Sequence, residues 1–109
     1  MSFSISIEIK DVDGNTHVLP VITDMYGSSK PMWEKALGEG TPGTLDGAEC
    51  RAIASRLDAA ARDIILNEQD YRAIEEVRGL TNFRAFRDVL FALIRTCHRY
   101  PSGTIRHTN

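Results

Sequence analysis

The chain has 109 residues, 42% of them hydrophobic and 26% charged, which suits one folded domain over residues 1–109 and leaves no material for a second core. Its formal net charge of −2 at pH 7 reads against a general nucleic-acid binder, which is normally basic overall. No apolar run approaches the roughly 18 residues of a membrane span, and Met1-Ser2-Phe3-Ser4 lacks the basic and apolar blocks of a signal peptide, so a cytoplasmic protein without a membrane partner is expected.

Phe3, Ile5, Ile7 and Ile9 alternate with Ser4, Ser6, Glu8 and Lys10, the period of a strand with one buried and one wet face. Asp13-Gly14 follows, the preferred pair for a two-residue type I′ turn. That turn predicts a hairpin in which Ile9 faces Val18, Ile7 faces Pro20 and Ile5 faces Ile22. Pro20 would then occupy a non-hydrogen-bonded pair, so its missing amide points away from the first strand and the second strand is an edge. Residues 104–108, after the Pro101-Ser102-Gly103 break, are the remaining β candidate and belong on the other side of the first strand.

Residues 23–29 read as a loop. Ser28 or Ser29 is placed to cap a short helix over 31–37, with Pro31 in its first turn and Gly38 ending it. Residues 38–44 read as a flexible connector. A long helix is predicted from Asp46, with Glu49 reaching back in an aspartate capping box, and its apolar positions are Cys50, Ile53, Leu57, Ala60 and Ile64. Asp58 and Arg62 are spaced for an i,i+4 pair. A break near Asn67 leads to a segment over 69–77 that turns Tyr71, Ile74 and Val77 inward and ends at Gly79. Thr81 or Asn82 then caps a helix over 83–100. The two cysteines, Cys50 and Cys97, each fall at a core position, so buried free thiols are expected.

The last helix carries two faces. At about 100° per residue, Phe83, Phe86, Val89, Leu90, Leu93, Ile94, Cys97 and Tyr100 fill an arc roughly 140° wide, enough for the floor of a small core. Phe91 falls about 60° outside that arc, among Arg84, Arg87, Arg95 and His98. Arginine and aromatic side chains are enriched anchors at interfaces, so this stripe is the first candidate binding surface. Tyr26, Lys30 and Trp33, around the short first helix, are the second.

Other motifs fail on context. Gly38-Glu39-Gly40-Thr41-Pro42-Gly43 matches G-x-G-x-x-G, but a helix precedes it, Glu39 repels phosphate and Pro42 removes an amide, so it reads as a plain loop. Asp11, Asp13 and Asn15 begin a calcium-loop pattern that lacks its glycine and its final glutamate. No metal-ligand spacing or nucleophile turn is present, and Glu75-Glu76 reads as a solvated helix end. The residues therefore predict no enzyme and no cofactor.

The hairpin, the Met32-Trp33 helix, the Leu45-Asp46-Gly47 helix start, Tyr71-Arg72, Cys97, Tyr100-Pro101 and the short final strand resemble a loose group of small uncharacterised proteins from bacteria and their phages. Members often carry an Asn-Gly-Trp-Gly-like turn, from which Arg78-Gly79-Leu80-Thr81 departs. The expected architecture is α+β: a small sheet made by the N-terminal β-hairpin and a C-terminal strand, packed by three to four helices. The expected function is a non-enzymatic binding protein, an accessory protein of phage or mobile-element type that occludes a host protein, such as a defence protein, through an acidic surface on that partner. Alternatives are a small-molecule binder that sequesters an anionic nucleotide-like ligand, including across a homo-oligomer interface, and an immunity protein that neutralises a toxin.

Overall fold

The computed structural model describes residues 2–78 and 82–109, with residues 76–78 described by their backbone alone. Strand β1 (Ser2–Lys10) lies between β2 (Thr16–Tyr26) and β3 (Thr104–Thr108), antiparallel to both. Four helices accompany this sheet: α1 (Lys30–Leu37), α2 (Cys50–Leu66), α3 (Glu68–Arg78) and α4 (Phe83–Arg99). The α+β expectation holds, with the N-terminal strand central and the second strand an edge.

The hairpin register differs from the expected one near the turn. Ile9 faces His17, Ile7 faces Leu19 and Ser6 faces Pro20, one residue off, while Ile5 still faces Ile22. The cause is a longer turn. The Gly14 amide donates to the Asp11 carbonyl and the Asp11 amide to the Asn15 carbonyl, while Gly14 takes φ +83°. This is a type I turn followed by a left-handed glycine, which closes a three-residue loop instead of a two-residue one. Asp11 favours it because its Oδ1 accepts the Asp13 and Asn15 amides, both at 2.9 Å. The register shift between Ile5 and Ser6 restores the Ile5–Ile22 pair, keeping both isoleucines in the core. Counting the alternation from the bonded Asp11–Asn15 pair, Ser6–Pro20 is a non-hydrogen-bonded pair. The role expected of Pro20 is therefore kept, with a different residue opposite it.

Helix α2 begins at Cys50, later than Asp46, and uses no side-chain cap. Its first amides find backbone acceptors instead. Cys50 N–H donates to the Gly103 carbonyl and Arg51 N–H to the Pro101 carbonyl, each at 2.9 Å. Asp46 is thereby released from capping, and its Oδ1 accepts the His107 amide at 2.9 Å. Gly47 and Ala48 exchange further backbone bonds with Ile105, so residues 46–49 cover the outer edge of β3.

The rest of α2 follows its periodicity: Cys50, Ile53, Leu57, Ala60 and Ile64 are buried. The chain breaks at Asn67 as expected, and Asp63 clasps the corner. Its Oδ2 accepts the Tyr71 hydroxyl and its Oδ1 accepts the Asn67 amide. Asn82 caps α4 by accepting the Ala85 amide. Glu75, expected to be a merely solvated end, accepts the Phe83 amide at 2.7 Å and so serves the same helix start. The side chain of Val77 as a core residue, Gly79 as a helix end, Thr81 as a cap and the turn over 79–81 lie outside the described residues.

Phe83, Phe86, Leu90, Leu93 and Cys97 of α4 are buried against Ile5, Ile7 and Ile105 of the sheet and Trp33 and Tyr71 of the other helices in one apolar cluster. The aromatic part is a run of ring contacts. Trp33 meets Phe3 edge-on at 6.1 Å and Phe86 at 5.2 Å, and Phe86 stacks with Tyr71 at 5.9 Å. Both cysteines are free and buried. Burial pushes both thiols above their ordinary range, and the adjacent Cys50 thiol raises Cys97 further. Among the described residues, no helix is long and apolar enough to cross a membrane.

Candidate functional site

The expected stripe on α4 is built from one flank of the helix. Arg84, Arg95 and His98 are exposed there, and Arg87 is half-buried. Phe91 is also half-buried, resting on the core cluster without being enclosed by it. Part of the positive charge is occupied. Arg87 reaches Asp88 at 3.2 Å, and His98 Nε2 meets Asp58 Oδ1 at 2.9 Å. The second contact ties α4 to α2 and takes the carboxylate that spacing had assigned to Arg62. Among the described residues, neither Arg84 nor Arg95 has an ion pair. The flank therefore presents a partly open aromatic ring between two free guanidinium groups.

The second candidate group divides. Trp33 is 0% exposed, so it belongs to the core and cannot serve as a binding residue. The reason is local: Pro31 and the 3-10 turn Gly27–Ser29 lead straight into α1, which directs Met32, Trp33 and Leu37 inward. Tyr26 and Lys30 remain exposed, Tyr26 at 71%, but they line different clefts. Tyr26 borders a cleft of about 330 Å³ between β2 and α4, whose α4 wall is Ala85 and Val89 with the cap residue Asn82. Val89 and Phe91 lie about 160° apart by helical phase, so this cleft and the stripe occupy opposite flanks of α4.

Lys30 borders a larger cleft, about 420 Å³, closed by the start of β1, the end of β3 and the loop 40–43. Phe3 and His107 stack in its wall at 5.3 Å with 27° between their planes. Thr41 and Pro42 are buried there, so the connector expected to be flexible is packed. The Thr41 hydroxyl contacts the Trp33 and Gly38 carbonyls at 2.9 and 2.8 Å, which pins the loop to α1. The loop does not act as a phosphate cradle. Its Gly40 amide goes to Glu34 Oε2, its Thr41 amide to the Gly38 carbonyl and its Thr44 amide to the Gly40 carbonyl.

No family model, curated protein or solved structure matches the chain.

The remaining polar contacts hold structure together. Asp11, the head of the calcium-like pattern, spends its oxygens on two turn amides and on His17 Nε2 at 2.8 Å. That histidine contact is the main reason its carboxyl is held below its ordinary value. Among the described residues, no group of three or more His, Cys, Asp and Glu is arranged to hold a metal ion. Periodicity could not find the larger cleft, because Phe3, Lys30, Thr41 and His107 come from four segments. The signal available was indirect: the two glycines just before Thr41, Gly38 and Gly40, take positive φ and so let the loop turn back sharply.

Proposed function

We propose that this chain is a non-enzymatic binding protein that engages an acidic protein surface through the outer flank of α4. The observation that carries the reading is the half-buried Phe91 ring between Arg84 and Arg95, both exposed and without an ion pair among the described residues. A ring in that position enters a partner's pocket while the surrounding cations steer encounter. The mode of action proposed is occlusion of a host protein by an accessory protein of phage or mobile-element origin, which requires a surface and no chemistry.

Affinity capture compares wild type with Phe91→Ala and Arg95→Glu, each variant first checked by thermal melting. The expected result is an acidic partner that salt releases. Arg95→Glu slows its association, and Phe91→Ala speeds its dissociation. Phe91→Ala should cost less than the roughly 3–5 kcal/mol of a core phenylalanine. A core-like loss of stability, or capture indifferent to both substitutions, would refute the reading.

A further inference from the structure

We infer that the cleft between Lys30 and the Phe3–His107 stack is a second binding site, for a small planar aromatic anion of mononucleotide size. It shares no residue with the α4 flank and does not depend on that surface having a protein partner.

Shape, charge and ring geometry point to the same ligand. The cleft encloses about 420 Å³, within the range of small-molecule sites, which are mostly apolar with a few placed polar groups. Its lining includes the apolar surfaces of Phe3 and Pro42 and the imidazole of His107. Phe3 is only 6% exposed and His107 is half-buried, so His107 is the more open ring of the stack. A planar ligand continues that stack across the imidazole. Lys30 supplies the charge. It is exposed, and among the described residues its ammonium has neither an ion pair nor a hydrogen bond, its backbone N–H going to the Gly27 carbonyl. Among the described residues, no aspartate or glutamate side chain lines the cleft, and the one carboxylate at its rim is the backbone group of the last residue, Asn109. In a chain of net charge −2, a concave site whose described lining holds a lysine ammonium and no acidic side chain favours an anion by local complementarity.

The Gly40 and Thr41 amides are committed internally and Pro42 has none to offer, so the anionic group is held chiefly by the lysine and not by a backbone cradle. A lysine ammonium is a compact point charge and accepts either phosphate or carboxylate. The shared feature is therefore a ring carrying an anion at its edge.

The test is titration of the full chain, followed by backbone amide NMR shifts, with AMP as ring-bearing phosphate and 4-hydroxybenzoate as ring-bearing carboxylate. Adenosine and inorganic phosphate are the half-ligands. At least one ring-bearing anion should bind with Kd below about 1 mM and shift amides at Lys30, Thr41 and His107. The two halves should bind at least about tenfold more weakly. Which anion binds tells whether phosphate or carboxylate is the natural group. Lys30→Ala leaves a side chain outside the core and should weaken the anion about tenfold or more while leaving adenosine unchanged. Lys30→Glu should abolish binding of the anion. The inference fails if neither anion binds below that limit, if the shifts map elsewhere, or if both lysine variants bind like wild type.

Discussion

Replacing Tyr71 by phenylalanine isolates one bond, because the ring keeps its stack on Phe86 and its contact with Phe83. What disappears is the hydroxyl bond to Asp63 that ties α3 to α2. A hydrogen bond to a charged group is worth about 1.5–3 kcal/mol. Asp63 is only half-buried and keeps part of its hydration, so the expected loss is nearer about 1–1.5 kcal/mol at pH 7. Unfolding entropy of about 2.1 cal/mol/K per residue over 109 residues converts this to a fall in Tm of roughly 4–7 °C. The loss should depend on pH with a definite sign. The Tyr71 hydroxyl is the main cause holding Asp63 below its ordinary value, aided by Asn67 and Lys35 and opposed by partial burial. A carboxyl depressed in the folded state stabilises fully above its unfolded value of about 3.9 and stops doing so as pH falls through the folded value. Urea midpoints of wild type and Tyr71→Phe should therefore differ most near pH 6–7 and converge below about pH 4. A gap that persists unchanged into acid, or an Asp63 titration identical in both proteins, would refute the assignment.

Leu93→Ala, at a fully buried position, should cost about 2–5 kcal/mol, and an unaltered denaturant midpoint would show that the phase of α4 is wrong. Gly103→Ala should destabilise by about 1–3 kcal/mol. A Cβ there would stand 2.5 Å from Ile7 Cγ2 and 3.1 Å from the Tyr100 carbonyl, so a wild-type melting curve would mean that the 101–103 turn yields freely. Cys50 and Cys97 should give the mass of two free thiols without reductant and react with alkylating agents only on unfolding, because both are buried and their protonated forms are favoured. A mass two hydrogens lower, or labelling of the folded protein, would contradict this.

Elements whose signal is local were readable from the chain. The buried positions of α2 and α4 recur with the helical period, and β1 alternates. The errors arise where a partner is distant or a turn admits two lengths. Asp13-Gly14 suits a two-residue turn, but Asp11 closes a three-residue one and slides the register by one. Asp46 has the sequence of a cap, yet Gly103 and Pro101 supply the acceptors for α2 and leave Asp46 to His107. The α4 stripe was visible as a phase anomaly. Trp33 lies in the core and not in the expected binding group, because a lone tryptophan beside a loop does not reveal on which side α1 buries it. The cleft at Lys30 was invisible for a similar reason: its walls converge only after β3 has returned beside β1.

Pro20 has a consequence for how copies of this chain meet. Strand β2 is eleven residues long and is the open edge of the sheet, the kind of border on which a second strand adds and aggregation begins. In a pair that is not hydrogen-bonded to β1, the backbone of residue 20 faces outward, and there proline offers a carbonyl but no N–H. An incoming strand loses a ladder bond near the middle of the edge and meets the pyrrolidine ring in its place. The edge is thereby a poorer template for zipping the hairpin to its own copies.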